Sequence, residues 1–400
     1  MDMMRTQLQQ QVMSELAAYD SVSDEVLLHH IDEIICQQGR QQHFSLNQKM
    51  QYRKDIYNAI RGLDIIQELL EDDTVTEIMV NGYRDIFIEQ CGKIRRYEKC
   101  FSSEEKLNDI VQKMVSGANR VVNETTPVAD ARLIDGSRMN VVLPPVSLIG
   151  PVVTIRKFPE QYTVAQLIDK GSISEECAVF LQNLVEARYN IFISGGTGAG
   201  KTTFLNALSQ YIPQNERIIT IEDSAELQIN IPNMVRMEAR NSNMEGKNEI
   251  RIRDLIRAAL RMRPDRIIVG EVRSEEALDM LQAMNTGHDG SISTGHANSP
   301  ADMLTRLEMM VLMAAEIPLQ AVKAQIASAL DIVVHLERFS DGSRKVVSVE
   351  EVFGYQNGEI CIQPLFSYNR EKACICRTQN RLVQEEKLWK SGKSVVCVES

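Results

Sequence analysis

The sequence predicts an α/β protein built on an open parallel sheet, and three observations carry that prediction. Short apolar runs alternate with helical segments over residues 164–355, one of these runs opens into a glycine-rich loop, and another delivers an acid at its end. Strands covered by helices on both faces read as near-continuous apolar runs of this kind. The strands are expected at Tyr189–Ser194, Arg217–Glu222, Arg266–Gly270 and Gly290–Thr294.

A chain of 400 residues is longer than one core usually serves, so several domains are expected. Residues 1–70 are Gln-rich, with Val26, Leu27, Ile31, Ile34 and Ile35 at helical spacing, and read as a helical module. Residues 71–157 change texture. Val75–Val80 meets Asp85–Glu89 across Asn81-Gly82, a hairpin signal; Glu104–Val115 reads as a helix, Ala131–Val141 as a second hairpin turning at Asp135-Gly136, and Val152–Ile155 as a strand. This is a small mixed α/β domain. Residues 158–163 read as a linker, 164–355 as the parallel-sheet domain, and 356–400 as a C-terminal extension.

No apolar run approaches the roughly 20 residues a membrane-spanning helix needs, and the N-terminus lacks the apolar core of a secretory signal. A cytoplasmic location is expected. The eight cysteines are scattered; Cys374 and Cys376 are close, but no Cys-x-x-Cys pair provides zinc-site spacing. A net charge of −11 speaks against broad, unspecific nucleic-acid binding.

Gly195-Gly196-Thr197-Gly198-Ala199-Gly200-Lys201-Thr202, followed by Thr203, is a phosphate-binding loop between a buried strand and a helix. Glycines let backbone amides turn inward around phosphates, and the helix N-terminus adds positive potential. Lys201 is expected to reach the β- and γ-phosphates of ATP, and the Thr202 hydroxyl to ligate Mg²⁺. An accidental glycine-rich turn would not bring strand, loop and helix into register.

Arg266–Gly270 then delivers Glu271 to the sheet edge at which ligands bind in open α/β sheets. Ile218–Ile221 delivers Glu222 and Asp223 to that edge. An acid there can orient the attacking water or hold the metal's water shell; the bland alternative is a solvated loop carboxylate. His288 and His296 flank the strand that follows, in Gly/Thr/Ser loops where a side chain can sense a γ-phosphate, although a histidine so placed can equally be an ordinary surface residue. Glu222, Glu271 and His296 are the catalytic candidates. Transfer chemistry also uses a cation, but the arginines are too many for spacing to choose one.

These residues resemble the CpaF family of type II/IV secretion and pilus assembly ATPases, the motors of Tad/Flp pili. The resemblance runs over roughly residues 70–355, through Glu77–Gly82, Ala129–Arg132, Asp135–Arg138, Thr154–Phe158, the glycine loop, Ile221–Asp223, Glu245–Lys247, Leu260–Asp265, Val269–Arg273 and Ala283–Gly290. It implies a RecA-like P-loop NTPase domain preceded by a small PAS-like α/β domain and the helical module. It implies ATP and Mg²⁺ as cofactors, a homo-hexamer, an inner-membrane platform protein as partner, and peripheral attachment to the membrane through it. Glu271 would belong to the Walker B box, Glu222 and Asp223 to the Asp box, and His288 and His296 to the His box. Arg138, Arg156 and Arg240 would contact the nucleotide. Gly295 stands where such chains often carry a bulkier residue, which implies a looser loop, and nothing past residue 355 matches. Two rival functions are a type IV motor for conjugative DNA or effector transfer, and a nucleotide-binding scaffold without turnover.

Overall fold

The computed structural model describes residues 3–16, 22–41, 43–118, 120–158, 161–240 and 249–393. Part of the expected linker, the Glu245–Lys247 block and Cys397 lie outside the described residues. The chain divides into two compact units, Met1–Glu160 and Gln161–Ser400.

The first unit opens with helices α1 (Met3–Leu16), α2 (Asp24–Gln41) and α3 (Leu46–Ile60). They enclose a small core of Leu8, Val12, Leu27, Ile31, Ile34, Ile35 and Ile56. Ser45 and Gln48 form a capping box that fixes where α3 begins, the side chain of each serving the other's backbone N–H. The unit continues through α4 (Ile65–Glu71), β1 (Val75–Asn81), β2 (Asp85–Gln90), β3 (Lys93–Arg96), α5 (Glu104–Gly117), β4 (Val128–Arg132), β5 (Arg138–Val142) and β6 (Val152–Arg156). The strands form an antiparallel sheet in the order β3-β2-β1-β6-β5-β4. Ile65, Ile66 and Leu69 of α4 pack in this sheet's core with Leu107, Ile110 and Val111 of α5. The second hairpin turns through Gly136 at φ 89°, where a Cβ would stand 2.3 Å from the ring of Phe158. Only glycine fits there.

The second unit runs α6 (Val164–Asp169), α7 (Glu175–Glu186), β7 (Ile191–Gly195), α8 (Lys201–Ser209), β8 (Ile218–Glu222), β9 (Met234–Glu238), α9 (Ile252–Ala259), β10 (Arg266–Val269), α10 (Glu276–Asn285), β11 (Ile292–Gly295), α11 (Pro300–Ala314), α12 (Leu319–Ala329), β12 (Ile332–Arg338), β13 (Arg344–Gln356), β14 (Glu359–Asn369), β15 (Cys374–Arg377) and α13 (Glu386–Lys390). Its nine strands lie in the order β15-β14-β13-β12-β7-β11-β10-β8-β9. Pairing is parallel from β12 to β9 and antiparallel from β12 to β15. Two apolar clusters cover the two faces of the parallel part, one around Ile191, Ile193 and Leu205, the other around Phe192, Ile219 and Val269. This is the doubly covered α/β architecture that the apolar runs announced.

The sheet does not stop at residue 355. β14 and β15 extend it, and Leu365, Phe366, Ile375, Leu382 and Leu388 sit in the same core as Ile191. Residues 356–393 are therefore part of the second unit's body and not an appendage. Their strands escape a search for apolar runs because most positions of β14 are only partly buried.

Candidate nucleotide site

Because β7, β11, β10 and β8 are parallel neighbours, their carboxyl ends meet along one sheet edge. β7 ends in the glycine loop, β11 in His296, β10 in Glu271 and β8 in Glu222. Helix α8 begins at Lys201, directly after Gly200, so its free N–H groups face the loop. Gly198 at φ 71° and Gly200 at φ 90° adopt left-handed backbone, and a Cβ on Gly195 would stand 2.4 Å from the Leu336 carbonyl. Geometry thus requires Gly195, Gly198 and Gly200, while a Cβ on Gly196 would meet open space.

Lys201 is only 8% exposed. Its Nζ donates to the Gly195 carbonyl (3.1 Å), the Gly196 carbonyl (2.9 Å) and Nδ1 of His296 (3.2 Å). On its other side His296 places Nε2 2.9 Å from Oε1 of Glu271, and Arg273 holds Oε2 of Glu271 at 2.7 Å. A chain of four side chains thus crosses three adjacent strand ends. Burial lowers the Lys201 pKa, and burial together with the Lys201 charge lowers that of His296. A neutral imidazole follows at neutral pH, free to accept from Lys201 through Nδ1, while Nε2 stands close to Glu271 without an aligned hydrogen bond; the tautomer is assigned from the Lys201 contact.

The two glutamates differ. Burial opposes ionisation of Glu271, but Arg273, His296 and Lys201 outweigh it and hold its pKa below the ordinary value. Glu222 is 3% exposed and burial raises its pKa, opposed only in part by the N–H groups of Glu226 (2.7 Å) and Leu227 (2.9 Å) that donate to Oε1. Its Oε2 is buried without a hydrogen-bond partner. Gly270 makes room for it: a Cβ there would meet Glu222 Cγ at 2.8 Å. That packing accounts for the glycine that precedes Glu271.

The other expected residues are placed as follows. Asp223 is exposed, with Arg273 at 3.7 Å. His288 precedes β11, at the opposite sheet edge from His296, so in this chain a four-residue strand of roughly 13 Å separates the two. Its carbonyl accepts from Ser291 Oγ, a local turn contact. Arg240 follows β9, the edge strand, four places from β7 and so about 19 Å away, and its backbone pairs with Ile250. Arg138 and Arg156 pair across β5 and β6 in the first unit. The looser loop expected at Gly295 is not found: Gly295 is buried at the end of β11, and a Cβ would meet Phe192 at 2.9 Å and Met303 at 3.1 Å. Arg273 was not singled out by spacing, although its place two residues after Glu271 was the available signal.

A glycine loop on a helix N-terminus, flanked along one parallel edge by acids and a histidine, defines a P-loop nucleotide-binding protein. This chain belongs to the type II/IV secretion system protein family, whose model matches residues 60–394. It is 34% identical over 301 residues to a putative conjugal transfer protein of Mycobacterium tuberculosis, covering 74% of this chain and 85% of that one. It is 30% identical to the type IV secretion system protein VirB11 of Bartonella quintana, covering 73% of this chain and 92% of the relative. The fold is that of the pilus retraction motor PilT solved with bound ADP (TM-score 0.54, 22% identity, covering 74% of this chain and 83% of that one). Among the described residues no helix is long and apolar enough to cross a membrane.

Proposed function

We propose that this chain is an ATPase motor that couples ATP hydrolysis to assembly of a Tad/Flp-type pilus or export of pilin-like subunits. The observation that carries the ATPase reading is the line Lys201–His296–Glu271–Arg273 running from the phosphate loop across the neighbouring strand ends. Gly195 to Thr203 hold the phosphates and Lys201 neutralises them. The loop fits a nucleotide because its glycines leave a cradle without side chains. Thr202, beside Lys201 at the start of α8, would hold Mg²⁺, and the ion would offset charge on the transferred phosphoryl group.

Two carboxylates whose surroundings push their pKa values apart divide the work. Glu222, with a raised pKa and a free oxygen, accepts the proton of the attacking water. Glu271 stays ionised and orients His296 toward the phosphates. Arg138 and Arg156 are candidates for γ-phosphate contact, His288, Asp223 and Arg240 for contacts with nucleotide held by a neighbouring copy in a homo-hexamer. The ring would work at the cytoplasmic face of the membrane on a platform protein. The conjugal transfer and VirB11 relatives favour a second reading, a type IV secretion motor, equally well at this level; prepilin and prepilin peptidase genes beside this one, against a relaxase and coupling protein, separate the two. The test of the motor itself is phosphate release across concentrations that permit assembly, beside Lys201→Ala and Glu271→Ala. Wild-type release no greater than that of the variants in the assembled state sinks the reading in favour of a non-hydrolysing scaffold.

A further inference from the structure

β12 runs parallel to β7 and outlasts it. The register sets His335 opposite Ser194 and Leu336 opposite Gly195, after which β12 continues through Glu337 to Arg338 while β7 has already turned into the phosphate loop. The chain then reverses: the Phe339 N–H donates to the Ser343 carbonyl at 2.8 Å, and the Asp341 carboxylate accepts from both the N–H and the hydroxyl of Ser343. β13 starts back at Arg344, directly opposite Arg338. A firmly built turn therefore carries two arginines at its mouth, alongside the loop.

Both reach the loop. Arg344 Nε donates to the Gly198 carbonyl at 2.8 Å, and its Cδ lies 3.2 Å from where a Cβ on Gly200 would stand. Arg338 Nη1 lies 3.6 Å from the corresponding point on Gly198. Both side chains are exposed, and among the described residues neither guanidinium is spent on a carboxylate. A loop with glycines at 195, 196, 198 and 200 has much conformational freedom to lose on binding. A tether from rigid strand to the 198–199 peptide plane removes part of that freedom in advance, because the peptide turns as a unit. Guanidinium groups also match phosphate oxygens in geometry and charge.

We propose that the β12–β13 turn is a clamp on the nucleotide site: Arg344 is a positioning residue that orders the phosphate loop through the Gly198 carbonyl, and Arg338 is a binding residue that gives its guanidinium to the polyphosphate of a nucleoside di- or triphosphate. This rests on the nucleotide reading of the loop. The experiment titrates fluorescent ADP into the full-length wild type, Arg344→Ala, Arg344→Lys and Arg338→Gln, with hydrogen exchange over residues 195–200 and thermal unfolding of each. Arg344→Ala is expected to weaken ADP about tenfold, the size of one charge-assisted hydrogen bond, and to speed exchange in the loop while β8 and β10 exchange as before. Arg344→Lys, which keeps a donor and a charge, recovers part of both effects. Arg338→Gln weakens ADP without altering loop exchange. ADP binding within twofold of wild type by both Arg344→Ala and Arg338→Gln overturns the clamp alone, as does unchanged exchange in Arg344→Ala. A wild type that binds no ADP overturns the nucleotide reading and the clamp with it.

Discussion

The two edges of the parallel sheet are made from similar residue types and used differently. At the amino-terminal edge most polar groups are spent on one another, His288 Nδ1 being a buried exception. Asn190 accepts from the N–H groups of Gly290 and Ser291 and donates to the Ala329 carbonyl, tying the starts of β7, β11 and β12 together. Asp331 accepts from the Asn190 N–H and from Lys387, which also reaches Asp289. Arg266, fully buried, is held by Glu216 and the Val185 carbonyl. At the carboxyl-terminal edge Glu222 keeps a buried oxygen without a partner and the loop bends through left-handed glycines. Buried polar groups that complete one another stabilise; groups left incomplete are available for a ligand.

Mutations at the two edges should accordingly have opposite signatures. The largest effect is expected at the amino edge: Glu216→Ala leaves the Arg266 charge buried without its carboxylate and costs about 3–5 kcal/mol, read as a lower urea midpoint, while the folded fraction still binds nucleotide. At the carboxyl edge Lys201→Ala should lower ATP turnover by about 10²–10³-fold with no loss of thermal stability, since it removes a desolvated charge. A Lys201 variant that unfolds as readily as the Glu216 variant would erase the distinction.

Lys387→Met sharpens the comparison through pH. Burial raises the Asp331 pKa, and Lys387 is what counters it; without the lysine the folded-state value rises further above the unfolded one. A carboxyl raised in this way weakens the fold at pH above its folded pKa and is harmless below its unfolded pKa. The loss, about 1–3 kcal/mol at neutral pH, should therefore shrink as pH falls toward the acidic range, measured by urea unfolding at a series of pH values. A pH-independent loss would assign Lys387 to packing alone. The smallest readout is a shift in the wild-type pH profile: with Glu222 accepting the proton, the acid limb of turnover lies above the ordinary glutamate value of 4.5. A limb at or below 4.5 points to Glu271 instead.

The phosphate loop, its strand and its helix were legible because all the information is local: an apolar run, glycines at fixed spacing and a helical continuation. So were the parallel strands, whose burial on both faces removes alternation. The strands β13 to β15 were not, because their half-exposed positions break the pattern and only the succession of antiparallel pairs leading out from β12 reveals them. His288 was grouped with His296 through the family resemblance, although the sequence already set the two at opposite ends of a short strand.

By itself, then, the sequence determined that a nucleotide loop exists, that a parallel sheet carries it, and which acids end the strands. Only the tertiary structure decided that β11 lies between β7 and β10, and so that His296 stands between Lys201 and Glu271. Strand order, which sets these contacts, results from how helices cover the sheet. The same holds for Arg344 on Gly198, a contact between residues 146 apart in the chain. Local patterns fix elements; which elements become neighbours depends on burying all their apolar faces at once.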